Sequence, residues 1–120
     1  MARMIMTAEA HAGSAAYYSV GQAMDGNQDP LTIVVSVQRT TGAGRAGLTA
    51  ANFFVSAMTV GAGGGGVTWT LIQVGGPVGV YSLRVVPIPA AVWKAGEYIF
   101  AVTVETGNDH GQTLCKARIE

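Results

Sequence analysis

Charged residues are scarce in this chain of 120 residues. Lysine plus arginine number 7, aspartate plus glutamate number 7, and the charged share of 12% leaves a formal net charge of zero. Soluble domains ordinarily carry about twice that share of charge. The chain therefore lacks the basic surface that binds nucleic acid or an anionic membrane. Because a neutral, charge-poor surface resists association only weakly, the composition favours a place within an assembly or beside other domains.

Cysteine and long apolar runs are also lacking. Cys115 is the single cysteine, which excludes an internal disulfide, so packing alone must hold the fold. No run reaches the roughly 18 apolar residues of a membrane span. The apolar run Met4–Met6 is too short for the core of a signal peptide. We therefore expect no membrane insertion, and no signal peptide is evident in this chain. Either the protein stays inside the cell, as a part of a virion would, or a leader has been removed; a virion or an extracellular or cell-surface location is favoured.

What the sequence does have is alternation of apolar and polar residues past residue 30. Hydrophobic residues make up 49% of the chain, and six alternating segments are bounded by glycine, proline, asparagine or aspartate. Helix signals are confined to the alanines of residues 2–16. The predicted strands are Leu31–Arg39, Asn52–Val60, Val67–Val74, Val80–Val86, Glu97–Glu105 and Thr113–Ile119, with Tyr17–Val20 as a weaker seventh.

This spacing of short strands predicts an all-β domain built as an antiparallel two-sheet sandwich of about seven strands. We expect one domain over residues 15–120. An N-terminal arm at residues 1–14 would precede it. This arm would be either a flexible segment or a segment that pairs with an edge strand of a neighbouring subunit.

The segment Trp93–Phe100 resembles the corner before the sixth strand of immunoglobulin-like domains. In that family a glycine or small residue lies two positions before a tyrosine whose hydroxyl bonds back to upstream backbone, and Gly96 and Tyr98 match this spacing. The stretch Gly79–Leu83, followed by the Trp93 segment, looks like bacterial and phage modules of this family, and the resemblance runs from Pro30 to the C-terminus. It implies an immunoglobulin-like sandwich with a structural corner at Gly96 and Tyr98, and a non-catalytic role in adhesion, assembly or ligand contact.

Asp25, Asn27 and Asp29 alternate as at the start of a calcium loop of helix–loop–helix type. The sixth position of that loop is Pro30 instead of glycine, and the twelfth is Ser36 instead of glutamate. A polar turn before a strand is therefore the simpler interpretation. The sequence predicts no cofactor, with calcium bound by another geometry at these three residues as the open alternative.

Groups suited to catalysis are few. His11 and His110 are the only histidines, and no set of residues has the spacing of a zinc site. Cys115 falls on an inward strand position, which predicts an inert, buried thiol. No serine motif such as a nucleophile elbow is present. The sequence predicts a protein that is not an enzyme.

Several apolar residues fall outside the core pattern and are candidates for an interface. Phe53 and Phe54 are adjacent and cannot both face inward on a regular strand. The other aromatic residues of the strands fall on core-facing positions, which favours packing over a sugar-stacking platform. The interface candidates are Met4, Ile5, Met6, Tyr17, Tyr18, Phe53 and Phe54.

The loops at residues 40–51, 75–79 and 106–112 would cluster at one end of such a sandwich. Because function concentrates in loops on a rigid scaffold, the binding-loop candidates are Arg45, Asn108, Asp109 and His110. The first functional hypothesis is a structural or assembly protein: a subunit or decoration module of a phage particle, filament or surface layer that forms a homo-oligomer or larger assembly. The alternative is an extracellular adhesion module that binds carbohydrate or protein, and either could be calcium-dependent.

Overall fold

The computed structural model describes residues 2–12, 30–60, 66–73, 77–88, 92–94 and 96–119. Its longer elements are all β-strands, and a short 3-10 helix at Ala50–Asn52 precedes the third of them. The strands are β1 Ala2–Ala12, β2 Leu31–Arg39, β3 Phe53–Val60, β4 Val67–Gln73, β5 Val80–Pro87, β6 Gly96–Glu105 and β7 Asp109–Ile119. The predicted all-β class is confirmed.

The strands from β2 onward lie where the alternation predicts them, and most ends differ by no more than a residue. The main exception is β7, which begins at Asp109 instead of Thr113 because the turn before it is short: Thr106 N–H donates to Asp109 O at 2.9 Å. The weaker strand predicted at Tyr17–Val20 lies outside the described residues. Residues 2–12, which fall within the predicted N-terminal arm at residues 1–14, form β1 of the chain's own sheet.

The seven strands join in one sheet with the order β3-β6-β7-β1-β2-β5-β4. β1 is the link between its two halves. Ala2 and Arg3 pair in parallel with Asp109 and His110 of β7, and Met4–Ala12 pair antiparallel with β2. The other neighbouring strands pair antiparallel. The sheet is therefore mixed, whereas the sequence predicted antiparallel pairing throughout, because β1 runs in the same direction as β7.

Side chains at alternate positions of the strands form the core. Burying a large aliphatic or aromatic side chain contributes about 1.5–3 kcal/mol, so a dozen such residues outweigh any single polar contact. Trp93, which precedes β6, packs edge-on against Tyr98 and Phe100, with ring centroids 5.4 and 6.2 Å apart. The largest fully buried side chains are Trp93, Tyr81, Phe53, Phe100, Leu31, Ile33, Leu83, Ile119, Val35, Val37 and Val85.

The same alternation sorts the apolar residues that were interface candidates. Met4 and Met6 are only 4% and 8% exposed and belong to the core, because β1 turns every second side chain inward. Ile5 lies between them on the outer face and is 50% exposed. Phe53 is fully buried and Phe54 is 53% exposed, so this pair divides between the two faces of β3 as adjacent strand residues must.

β3 and β4 are the two ends of the sheet, and they return towards one another. The rings of Phe54 on β3 and Trp69 on β4 are 6.3 Å apart. Within the described residues no backbone pairing joins these two strands. The sheet thus curls most of the way round the core without closing.

Candidate binding surfaces

Tyr81 holds the long loop between β2 and β3 at one end of the sheet. Its hydroxyl donates to the carbonyl oxygen of Arg45 at 2.5 Å and accepts from the backbone N–H of Leu48 at 3.3 Å. Its ring packs edge-on against Phe53 with centroids 5.4 Å apart. Sequence reasoning assigned Tyr81 to the core but missed this anchoring role. The signal was a phenol among aliphatic neighbours, since a buried tyrosine hydroxyl needs a partner.

Glycines allow the turn at residues 77–79 to lie directly against this loop. Gly79 has a φ of +90°, and its carbonyl accepts a 2.8 Å hydrogen bond from the backbone N–H of Val37. A side chain on Gly44 would overlap the carbonyl oxygen of Val78. The loop at residues 40–51 and the turn at 77–79 therefore meet at one end of the molecule.

Asp109 adds the β6–β7 turn to the same end. Its Oδ2 lies 3.6 Å from Nε of Arg45 and 3.9 Å from Nη1 of Arg39. The Arg45 Nε is buried and has no hydrogen-bond partner among the described residues, so this ion pair is the contact that offsets its burial. The structure thus brings the candidates Arg45 and Asp109 together, while Asn108 and His110 are exposed to solvent beside them.

A small cleft of about 180 Å³ opens next to this ion-pair cluster. Its walls include Arg3 and Arg39, the hydroxyl-bearing residues Thr40 and Thr41, and Asp109. Guanidinium and hydroxyl donors of this kind suit an anionic group. However, the carboxylate of Asp109 already lies where such a group would meet Arg39. The cluster therefore acts chiefly to tie the loops together.

A second surface lies on the outer face of β1, β7, β6 and β3. Leu114 on β7 pairs with Ala101 on β6, which pairs with Ser56 on β3. The neighbouring row runs from Gln112 through Thr103 to Phe54. β1 pairs with β7 only at Ala2 and Arg3, and Ile5 and Thr7 are the next exposed residues along β1 beyond that pairing. We term this surface the outer band: Ile5, Thr7, Phe54, Ser56, Ala101, Thr103, Gln112 and Leu114.

The outer band contains no charged residue, and its large apolar side chains are open to solvent. Ile5 is 50% exposed, Phe54 53% and Leu114 58%. Charged residues lie in the rows on either side, with Arg3 and Glu105 on one flank and Glu9 and Lys116 on the other. An uncharged centre with a charged rim is the usual anatomy of a protein-binding surface.

A groove of about 630 Å³ follows the seam between β1 and β7 beside the outer band. Its lining includes the small side chains of Ala8 and Ala10, together with Ile99, Leu114 and Cys115. Burial raises the pKa of the Cys115 thiol to about 11. The thiol is therefore protonated at neutral pH and is a poor nucleophile, which leaves packing as its role.

The corner residues Gly96 and Tyr98 lie at the start of β6, away from the loop end. The Tyr98 hydroxyl accepts a hydrogen bond from the backbone N–H of Lys94 at 3.0 Å, four residues upstream. Gly96 has a φ of +140°, a conformation that favours glycine. This arrangement fixes the path by which the chain enters β6.

Other candidates lie outside the described residues: Asp25, Asn27 and Asp29 of the calcium alternative, and Tyr17 and Tyr18 of the interface set. Across the part of the chain that the structure describes, no three histidine, cysteine, aspartate or glutamate residues are grouped to hold a metal ion. Nor does that part contain a helix long and apolar enough to span a membrane.

Comparison of the chain with protein-family models, with curated proteins and with solved structures finds no significant match.

Proposed function

We propose that this chain is a non-catalytic structural subunit with an immunoglobulin-like fold, and that it assembles with further copies of itself through the outer band. The assembly would be a particle, filament or surface layer. The single observation that carries the proposal is the uncharged outer band, in which Ile5, Phe54 and Leu114 are each at least half exposed.

The strand pairing supports the immunoglobulin-like part of the proposal. Apart from its parallel contact with β7, β1 belongs with β2, β5 and β4, and the remaining strands form the set β7-β6-β3. The strands therefore divide into two sets: the first, second, fifth and fourth strands of the chain form one set, and the third, sixth and seventh form the other. Immunoglobulin-like domains of constant type divide their strands in this way.

The exposed side chains support association over an enzymatic or nucleic-acid-binding role. Contiguous apolar surface on a small protein commonly marks a contact with another protein. The net charge of zero means that copies meet without long-range repulsion. The charged residues flanking the outer band are of both signs, so a polar rim can form with complementary pairs.

The size of the surface indicates how strong this contact is. The outer band has two residues on each of four strands, and a residue on one face of a sheet occupies about 4.8 by 6.6 Å, so the flat footprint is roughly 250 Å². A stable specific interface buries about 800 Å² on each partner. The outer band alone therefore supports a weak contact, and an ordered assembly needs it to be repeated or reinforced by another.

Sedimentation velocity over a range of concentrations tests the proposal. We expect the wild-type protein to self-associate reversibly and Leu114→Lys to shift the association to at least tenfold higher concentration, since a charge would be buried in the contact. Val78→Lys is the matched control, because Val78 is 67% exposed but lies at the loop end. Equal behaviour of the two variants, or a wild-type monomer at every concentration, would contradict the proposal.

A further inference from the structure

The charges of this chain are distributed unevenly among the strands that the structure describes. β1, β2, β5, β6 and β7 each carry at least one of Arg, Lys, Asp or Glu. The two strands without any are β3 and β4, the two edges of the sheet; the rings of Phe54 and Trp69 meet across the gap between them, so a copy that pairs with β3 must displace the Trp69 ring. Proteins that must stay monomeric do the opposite, placing charge or proline on their edge strands because an edge presents unpaired N–H and C=O groups.

We infer that β3 is a second self-association site, where two copies of the chain pair edge to edge through their β3 strands. This inference rests on the proposed function and adds a second contact to it. β3 pairs with β6 over eight consecutive residues without interruption. β4 carries an irregularity between Leu71 and Gln73 that disturbs its ladder with β5, and a bulge of this kind protects an edge from pairing.

The symmetry of such a pair fixes its register. In antiparallel strands, residues that lie opposite each other point to the same face of the sheet. When the two strands are identical and related by a two-fold axis, this requires the numbers of each pair of opposite residues to have an even sum. An axis through Ser56, near the middle of β3, places Ser56 opposite its own copy and Val55 opposite Ala57 of the other copy. Buried side chains then stay on the core side, and the outer bands of the two copies join into one continuous surface.

Electrostatics permit this pairing. No charge lies on β3, so the nearest like charges across the seam are on β6. With the axis at Ser56, Glu97 of one copy and Glu105 of the other copy lie in the same row of residues across the joined sheets. These carboxylates are then three strand spacings apart, about 14 Å. That separation exceeds the Debye length of about 8 Å at physiological salt, so their repulsion is largely screened.

Two distinct contacts change what the chain can build. A single two-fold contact gives a dimer and stops. Adding an edge contact at β3 to a face contact at the outer band lets each copy join two neighbours, which allows extended growth. The backbone hydrogen bonds of the edge also supply the strength that the small footprint of the outer band lacks.

Hydrogen exchange of the wild-type protein, followed residue by residue by NMR at low and high concentration, tests the inference. Every second amide of β3 points away from β6, and these amides should exchange at least tenfold more slowly when the protein associates. The amides of β4 should not change. As a second readout, Ser56→Cys in a Cys115→Ser background should form an intermolecular disulfide on mild oxidation, because directly opposed strand residues have Cα atoms about 4.5–5.5 Å apart.

Charge variants complete the test. Ser56→Lys places two lysines side by side across the axis, but Ser56 also belongs to the outer band, so its effect supports the edge contact only when the β3 amides lose their slowed exchange. Thr70→Lys, at an exposed position of β4, should have no effect. Association that leaves the β3 amides unchanged and yields no disulfide overturns the edge inference and leaves the proposed function standing. A wild-type monomer at all concentrations overturns both.

Discussion

Removing one hydroxyl group, in Tyr81→Phe, tests how the loop end of this fold is held. The change keeps the buried ring against Phe53 and removes two hydrogen bonds, to the carbonyl of Arg45 and from the N–H of Leu48. Leu48 is 4% exposed, so its freed N–H is shielded from water. A buried backbone group left without a partner costs about 1–3 kcal/mol, and because the bond to the Arg45 carbonyl is only partly buried, the expected total loss is about 2–3 kcal/mol.

Tyr98→Phe is the matched comparison. It removes one hydrogen bond, from the N–H of Lys94, and because that bond is only partly buried, water can replace the lost partner more readily than at Leu48. The expected loss is about 1 kcal/mol. Urea unfolding of both variants, with unchanged dependence on urea, gives the two values. If Tyr98→Phe costs as much as Tyr81→Phe, the argument that burial of the orphaned groups sets the cost is refuted.

Two further perturbations have defined outcomes. A side chain at Gly79 would meet the Val37 carbonyl oxygen and the backbone of the facing loop at a φ of +90°, so Gly79→Ala should cost about 2–4 kcal/mol in urea unfolding. Gly107→Ala, with no atom near its added Cβ, should be close to neutral, and equal losses would contradict this account. Burial raises the thiol pKa of Cys115 from 9.0 to about 11, so the folded state disfavours the thiolate. Stability should therefore fall as pH rises through this interval, and Cys115→Ala should show a smaller fall; identical pH profiles would refute the assignment.

Alternation alone was enough to place most of the sheet. From β2 onward, apolar residues at every second position have little ambiguity, because β-branched and aromatic side chains dominate and glycine or proline marks the ends. The same rule required Phe53 and Phe54 to point to opposite faces, and the structure separates them in this way.

The sequence did not predict β1 as a strand, because the residues that alternate along it have low strand propensity. Met4, Met6, Ala8 and Ala10 do alternate with outward residues, but alanine and methionine have higher helix than strand propensity. What makes this segment a strand is the ladder that β2 offers it, nine residue pairs long. Tertiary pairing overrode local preference, and a single sequence does not display that pairing.

The candidate surfaces depend on the same long-range information. Arg45 and Asp109 were both predicted as binding residues because they lie in predicted loops. Their ion pair, and the second ion pair of Asp109 with Arg39, depend on how the loops meet in the fold. The composition shows that charged residues are scarce. That the two uncharged strands are the edges of the sheet could not be predicted from the sequence, because it depends on the order of the strands in the sheet.

The most direct test of the assembly proposal is the mass of the wild-type protein in solution, measured by light scattering across concentrations at low and at high salt. The chain has a mass of 12.3 kDa. We expect the average mass to rise well above this value with concentration, and to rise nearly equally at both salt concentrations, because the centre of each contact is uncharged and exposed ion pairs at its rim contribute little. A mass that stays at the value for one chain, or an association that high salt abolishes, would contradict the account.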